Sequence, residues 1–251
     1  LKIFIMKKTL LFLILTPIFS FTQINDFQGF MDFSYNNDSG KIILNIEDLD
    51  KEFLYINSLS RGVGNNDLGL DRGQLGNSRI VYFTKKGDKI LLIQPNLRYI
   101  SNSLNELENK AVEEAFARSV LFGFEIIEQS NESFKVDLTP FLVNDAHGVA
   151  QRLGLTNSGS YSLNKSMSAI NLDRTKAFPR NIEFDVLLTF TGIPTGSLVS
   201  SVTPSPSNLT VNQHHSFVEL PDDNYKMRKF DPRSGSNPLI VYDYSTPIDE
   251  R

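Results

Sequence analysis

The stretch Asn181-Ile182-Glu183-Phe184-Asp185-Val186-Leu187-Leu188-Thr189-Phe190 decides the fold of this chain. Apolar residues occupy every second position of the stretch, and Glu183, Asp185 and Thr189 lie between them, with Leu187 as the exception. Successive side chains of a β-strand point to opposite faces. The alternation therefore predicts a half-buried strand that has one face in the core and the other toward solvent.

Further strands are predicted on both sides of this stretch, most of them in hairpins. The turn residues Asn37-Asp38-Ser39-Gly40, for example, separate two runs rich in aromatic and β-branched residues. The abundance of Phe, with 19 residues, also favours sheet. The other predicted strands are Phe30–Asn36, Lys41–Ile46, Glu52–Leu59, Arg79–Thr84, Lys89–Gln94, Phe122–Glu128, Ser133–Leu138, Leu209–Leu220 and Leu239–Tyr244.

One helix is predicted over residues 103–121. Ser103 and Glu106 have the spacing of a capping box, and apolar residues then recur at helical spacing as far as Val120. Gly123 is suited to end this helix. Together with the hairpin strands, the helix predicts an α+β fold with a mainly antiparallel sheet.

Two segments have the composition of long loops. Arg61–Gly76 is rich in Gly, Asn and Asp, and Ile193–Asn208 is rich in Pro, Ser and Thr. Residues 161–178 show no clear periodicity. Because strands continue beyond a candidate boundary at residues 140–165, we expect residues 23–251 to form a single domain, with two closely packed halves as the alternative.

The first 22 residues have the order of features of a secretory signal peptide. Two lysines precede the apolar run Leu10–Ile18, and the small residues Ser20 and Thr22 offer a cleavage site. The apolar run is shorter than the roughly 20 residues that a membrane-spanning helix needs, so a signal is favoured over an anchor. We expect translation to start at Met6 and the mature protein to be exported to the periplasm, the cell surface or the medium.

The composition narrows the classes of function. The formal net charge of −4 argues against nucleic acid, which requires clustered positive charge. The chain contains no Cys, so neither disulfide bonds nor thiol chemistry can operate in it.

The three histidines do not have the spacing of a zinc-protease site. Such a site uses two His separated by one helical turn with a Glu between them, and His147, His214 and His215 do not match that pattern. Adjacent residues of a strand point to opposite faces, so His214 and His215 are not expected to bind the same ion. We predict no metal ligand and no cofactor-binding residue in this chain.

Other motifs are incomplete. Asn65, Asn66, Asp67 and Asp71 could offer oxygen ligands to calcium, but a solvated turn is the favoured interpretation of that loop. The run Tyr225–Gly235 combines aromatic residues with charges of both signs, which fits either an interface or a surface turn with weak ion pairs.

Four ordered segments resemble the N-terminal region of the large secreted zinc-dependent metalloproteases of Bacteroidetes-type bacteria. They are Gly69–Gly76, Phe178–Asn181, His214–Pro221 and Asp231–Gly235. In those proteins this region is a domain of unknown function that precedes a metzincin-like catalytic domain. The resemblance implies that zinc is held by that downstream domain, which would also be the partner of this chain, and that the chain is the N-terminal part of a longer enzyme. No residue of the family's zinc motif has a match here, so no catalytic residue is carried over.

Three hypotheses follow from the sequence. The first is a non-catalytic N-terminal domain of an exported zinc metalloprotease, which packs on or covers the catalytic domain. The second is a stand-alone periplasmic or surface binding module. The third is an enzyme with an unfamiliar site, which would require Asp71, Arg72, Arg228 and Asp231 to converge in one cleft.

Overall fold

The computed structural model describes residues 23–222, 224, 226, 228 and 230–247. The predicted signal peptide and its start at Met6 therefore lie outside the described residues. The strands are β1 (Ile24–Phe27), β2 (Phe33–Asn36), β3 (Lys41–Ile46), β4 (Phe53–Arg61), β5 (Leu75–Lys86), β6 (Lys89–Gln94), β7 (Tyr99–Ile100), β8 (Ser119–Gln129), β9 (Phe134–Asp137), β10 (Gly159–Leu163), β11 (Ala169–Ile170), β12 (Lys176–Phe178), β13 (Asn181–Pro194), β14 (Asn208–Glu219) and β15 (Tyr242–Asp243). The α-helices are α1 (Glu106–Ala115), α2 (Thr139–Leu142) and α3 (Val149–Leu155).

Eleven strands form one continuous antiparallel sheet. Their order is β1-β2-β3-β9-β8-β6-β5-β4-β14-β13-β10, and the short strands β11 and β12 also pair with β13. Strands β13 and β14 are paired over eleven residues and form the longest ladder of the sheet. The strand predicted from the alternating stretch is confirmed, and its partner is the strand that carries the adjacent histidines.

The sheet curls until its two ends approach each other. After β1, the Phe30 N–H donates to the Phe178 carbonyl of β12 at 2.8 Å. The rings of Phe33 in β2 and Phe184 in β13 lie 4.9 Å apart between centroids. The sheet is therefore a nearly closed, barrel-like structure.

The predicted α+β class is wrong, because the chain is mostly β. Strand accounts for 43% of the residues and helix for 15%, and the helices are short additions to a single curled sheet. Local patterns identify hairpins, but the curl arises from pairings between distant strands such as β14 with β4 and β3 with β9. Those pairings carry no local sequence signal.

The predicted helix over residues 103–121 is real but shorter. It begins after Asn105, whose side chain caps the Leu107 N–H at 3.1 Å, and it ends at Ala115. From Ser119 onward the chain pairs with β6, and this strand places the Phe124 side chain in the core. Gly123, expected to end the helix, lies inside β8.

The segments without a clear prediction are folded onto the barrel. The glycine-rich loop from Arg61 is anchored by the buried side chains of Leu68 and Leu70. Residues 161–178 run along one edge of β13, where parts of β10, β11 and β12 pair with it, and include two short 3-10 turns. Among the described residues, no helix is both long and apolar enough to span a membrane.

The barrel interior is filled by aromatic rings. Phe217 in β14 contacts Phe53, Phe83, Phe141 and Phe184 with centroids 5.2 to 6.5 Å apart. Its side chain is fully buried, and so are the alternate apolar residues of β13. This cluster joins strands from opposite sides of the barrel, so it makes a large contribution to the stability of the fold.

Replacing Phe217 with Ala should lower the free energy of unfolding by about 3–5 kcal/mol, since the ring leaves a cavity that the surrounding sheet cannot close. Phe178→Ala is the matched control, because that ring is 46% exposed. Urea denaturation followed by circular dichroism would measure both. Equal losses for the two variants would contradict this description of the core.

Candidate functional site

The adjacent histidines of β14 lie on opposite faces of the sheet, as expected for successive strand residues. His215 is fully buried on the core face. His214 lies on the outer face, directly between Asp185 of β13 and Ser58 of β4 in the strand registers. The two rings therefore belong to two different polar networks.

The outer network is centred on the carboxylate of Asp185, which has no solvent exposure. One of its oxygens accepts hydrogen bonds from Asn171 at 2.8 Å and from Asn212 at 2.7 Å. The other oxygen accepts one from Ser60 and lies 3.7 Å from both Arg174 Nε and His214 Nδ1. This buried charge is thus satisfied by groups from β4, β14 and the turn after β11.

Asp185 is buried because the turn at residues 171–175 folds over it. The Asn171 N–H donates to the Asp185 carbonyl at 2.8 Å, and the Thr175 hydroxyl receives the Asp185 N–H at 3.4 Å. The same turn carries Arg174 and holds it beside the carboxylate. The position of Arg174 therefore depends on Asp185.

A second carboxylate, that of Glu183, lies beside the first on the same face. It contacts His214 Nε2 at 2.6 Å and accepts hydrogen bonds from Ser216 and from Asn181. His214 is consequently enclosed by two carboxylates, one at each ring nitrogen. Its Nδ1 atom is buried and faces Asp185.

The charges of this network reinforce one another. Asp185 and Glu183 raise the pKa of His214 to about 9, so the ring is positively charged at neutral pH. Burial alone would raise the pKa of Asp185, but the neighbouring charge of His214 and hydrogen bonds from Ser60 and the two Asn side chains hold it well below the usual range. The outer face thus carries ionised groups of both signs.

A cleft of about 370 Å³ opens above His214. Its walls are formed by β4, by the turn that precedes β5 and by the 3-10 turn before β12. The residues that line it are Ser58, Leu59, Ser60, Arg72, Gly73, Arg174 and His214.

The inner network closes the interior of the barrel around His215. The Tyr55 hydroxyl lies 2.9 Å from Nδ1, and the Leu142 carbonyl lies 3.1 Å from Nε2. Burial lowers the pKa of His215 to about 3, so the ring is neutral at physiological pH. The Gln213 amide next to it bonds the His147 N–H and the Asn144 carbonyl, which ties the loop before α3 to the sheet. This arrangement has a structural role, because it joins the loop before α3 to the sheet.

The residues of the unfamiliar-site hypothesis do not gather in the cleft. Arg72 lines it, but Asp71, Arg228 and Asp231 do not. Asp231 is occupied by Arg233, whose guanidinium contacts it at 2.7 Å on the surface. A function of Arg72 would therefore depend on the other residues that line the cleft.

The remaining sequence candidates occupy ordinary structural positions. His147 lies in a turn with its Nδ1 atom 3.2 Å from Asn57. The Asn65 side chain caps the Asp67 N–H at 3.0 Å and also reaches the Leu198 carbonyl. Across the residues that are described, no group of three or more His, Asp or Glu side chains is arranged to hold a metal ion.

The acidic pair of β13, Glu183 and Asp185, is not predicted as a site from the sequence, because both residues fall on the solvent-facing half of an alternating strand. The family resemblance is the one sequence signal that points to this region. It is carried by the segment that begins at His214 and by the segments that contain Arg72 and Asn181. The structure brings these three segments onto one face.

Comparison with protein families gives one match. A family described as "Domain of unknown function (DUF5117)" matches residues 73–251, which is more than half of the chain. No curated protein and no solved structure matches this chain. The matched range contains Asp185, Arg174 and His214, whereas Arg72 immediately precedes it.

The charge on His214 should make stability depend on pH. Because its pKa is raised to about 9 in the folded state, against about 6.5 when unfolded, its contribution is complete below pH 6.5 and is lost as pH rises through 9. We expect the free energy of unfolding to fall by about 2–3 kcal/mol over that interval. The facing carboxylates of Glu183 and Asp185 keep their charges throughout, because the pKa of each is lowered.

Denaturant titrations at successive pH values would measure this loss, and the His Cε1–H resonances in NMR would give the pKa directly. His214→Gln is the control, since it should flatten the dependence between pH 6.5 and 9. An unchanged slope in that variant, or a His214 pKa near 6.5, would contradict the proposed charge network.

Proposed function

We propose, from the premise that this chain belongs to the DUF5117 family, that it is a non-catalytic domain that docks on the catalytic domain of an exported zinc metalloprotease. The observation that carries the proposal is an apolar groove on the outer face of β4 and β5. The resemblance of four ordered segments to the N-terminal region of such proteases supplies the identity of the partner.

The groove has a volume of about 690 Å³ and is lined in part by Leu54, Ile80, Leu97 and the segment Leu239–Val241. Leu239 is 93% exposed and Ile240 is 58% exposed. Soluble proteins rarely leave contiguous apolar side chains in water unless they contact a partner. The groove therefore fits a protein surface that covers it.

Aromatic stacking fixes the segment that forms one wall of the groove. Tyr242 in β15 stacks on Tyr99 in β7 with centroids 5.3 Å apart, and Tyr99 stacks on Phe116 at 4.0 Å. The Arg98 guanidinium lies over both tyrosines. The exposed leucine and isoleucine are thus held in place by a rigid anchor, which reduces the entropy cost of binding.

The same anchor favours a partner on the same polypeptide. It holds residues 242–244 beside the groove, so a domain joined after this segment would be tethered next to it. Tethering gives such a domain a high effective concentration and lets a modest apolar contact suffice. We further propose, from the predicted signal peptide, that the domain works outside the cytoplasm.

A stand-alone binding module is the second candidate. It is favoured by the open cleft above His214, which offers charged side chains to a ligand without a second domain. The reading frame downstream discriminates the two: an H-E-x-x-H segment supports the docking domain, and its absence supports the module.

In a polypeptide that joins this chain to a zinc-protease domain, Leu239→Ser combined with Ile240→Ser should separate the two domains. Hydrogen–deuterium exchange should then increase at Leu54, Ile80 and Leu97, because the groove is no longer covered. Leu104→Ser combined with Leu107→Ser is the matched control, since these residues, just before and within α1, are 105% and 75% exposed and do not line the groove.

Unchanged exchange in the groove variant would contradict the docking surface. A separate assay addresses the non-catalytic role: the isolated chain should neither bind zinc stoichiometrically nor hydrolyse peptides. Tight zinc binding with peptide turnover would overturn it.

A further inference from the structure

The cleft above His214 presents two arginines whose charge the protein does not neutralise. Arg72 is exposed and makes no ion pair with any described residue. Arg174 is 59% exposed, and the carboxylate nearest to it, Asp185, is reached only by Nε at 3.7 Å. Both guanidinium groups therefore keep donors that face solvent at the cleft.

The carboxylates beneath the cleft are already occupied. Asp185 has no exposure and receives three hydrogen bonds in addition to its two charged neighbours. The Glu183 side chain is 17% exposed and is bonded by His214, Ser216 and Asn181. Neither can turn outward to pair with Arg72 without losing these contacts.

The charged side chains that line the cleft are all positive. They are Arg72, Arg174 and the protonated His214, and no carboxylate is among the described residues that line it. Such a lining attracts a negatively charged group. The hydroxyls of Ser58 and Ser60 also line the cleft and add neutral polar groups to its wall.

The backbone of the two turns that carry these arginines is held in place by hydrogen bonds. On one side, the turn that carries Arg72 is bonded to β4 by the Gly73 N–H to the Leu59 carbonyl at 2.7 Å, and by the Leu59 N–H to the Gln74 carbonyl at 2.9 Å. On the other side, the turn that carries Arg174 is held by Asp185. The walls are consequently preorganised, which lowers the cost of ordering them around a ligand.

We propose that this cleft is a binding site for a carboxylate group, held by the guanidinium groups of Arg72 and Arg174. A guanidinium fork matches the planar geometry of a carboxylate, and the described lining of the cleft contains no carboxylate of its own to compete for it. The cleft volume of about 370 Å³ accepts a group of the size of an amino-acid side chain. The ligand is either a small free carboxylic acid or an acidic side chain or C-terminus of a peptide. This site goes beyond the docking function, because it lies outside the apolar groove and does not require it.

The test is an NMR titration of the isotope-labelled chain at low ionic strength with three probes: acetate, an N-acetylated and C-amidated glutamate peptide, and inorganic phosphate. We expect the two carboxylates to shift the amide resonances of Ser58, Gly73 and Arg174 in a saturable way. A stronger effect of the peptide would identify a peptide ligand, and equal affinities would identify a small carboxylate; either result supports the site.

The variants Arg72→Gln and Arg174→Gln should each weaken carboxylate binding about tenfold, because each removes a charge-assisted pair of hydrogen bonds. Arg72→Gln is the safer variant, since Arg72 takes part in no internal ion pair, and circular dichroism would verify its fold. Arg233→Gln is the matched control, because it removes an equally positive side chain that is 90% exposed and does not line the cleft.

Three results would overturn the proposal. They are the absence of saturable shifts at the cleft, an equal loss of affinity in Arg233→Gln, and tighter binding of phosphate than of either carboxylate. None of these measurements involves the apolar groove. A failure of the carboxylate site can therefore be distinguished from a failure of the docking function.

Discussion

The outer face of this protein depends on one buried charge, the carboxylate of Asp185. A carboxylate without exposure is stable only when hydrogen bonds and opposite charges replace its lost hydration. Here those partners come from β4, from β14 and from the turn at residues 171–175. The requirement to satisfy this charge therefore joins β4, β13, β14 and the turn at residues 171–175 at a single point.

The buried carboxylate also determines the position or charge of two groups that lie beside it in the structure. The turn that covers Asp185 also carries Arg174, and the carboxylate keeps His214 protonated at neutral pH. The cleft is consequently cationic at its surface although two carboxylates lie below it. The apolar groove, by contrast, is organised by the aromatic stack around Tyr99, so the two proposed surfaces rest on separate interactions.

Sequence periodicity was sufficient where structure is local. The alternation through β13 predicted the burial of its apolar residues, although Asp185 and Thr189 on the other face are buried as well, and the adjacency of His214 and His215 predicted their opposite faces. It failed where long-range pairing decides the outcome: residues 119–121 follow helical spacing but pair with β6, and the curl of the sheet turned an expected α+β fold into a mostly β one. Asp185 was read as facing solvent because nothing in residues 161–178 indicated that they would fold over it. Arg72 lines the cleft, but the other three residues of the unfamiliar-site hypothesis do not.

The effect of Asp185→Asn on stability tests the central role of this carboxylate most directly. The substitution keeps the size of the side chain but removes the charge and places an amide donor among existing donors. Asp173→Asn is the matched control, since Asp173 is exposed in the same turn. In urea denaturation at neutral pH, we expect Asp185→Asn to lower the free energy of unfolding by about 2–4 kcal/mol and Asp173→Asn to change it by less than about 0.5 kcal/mol. Equal stability of the two variants would contradict the central role of the Asp185 carboxylate.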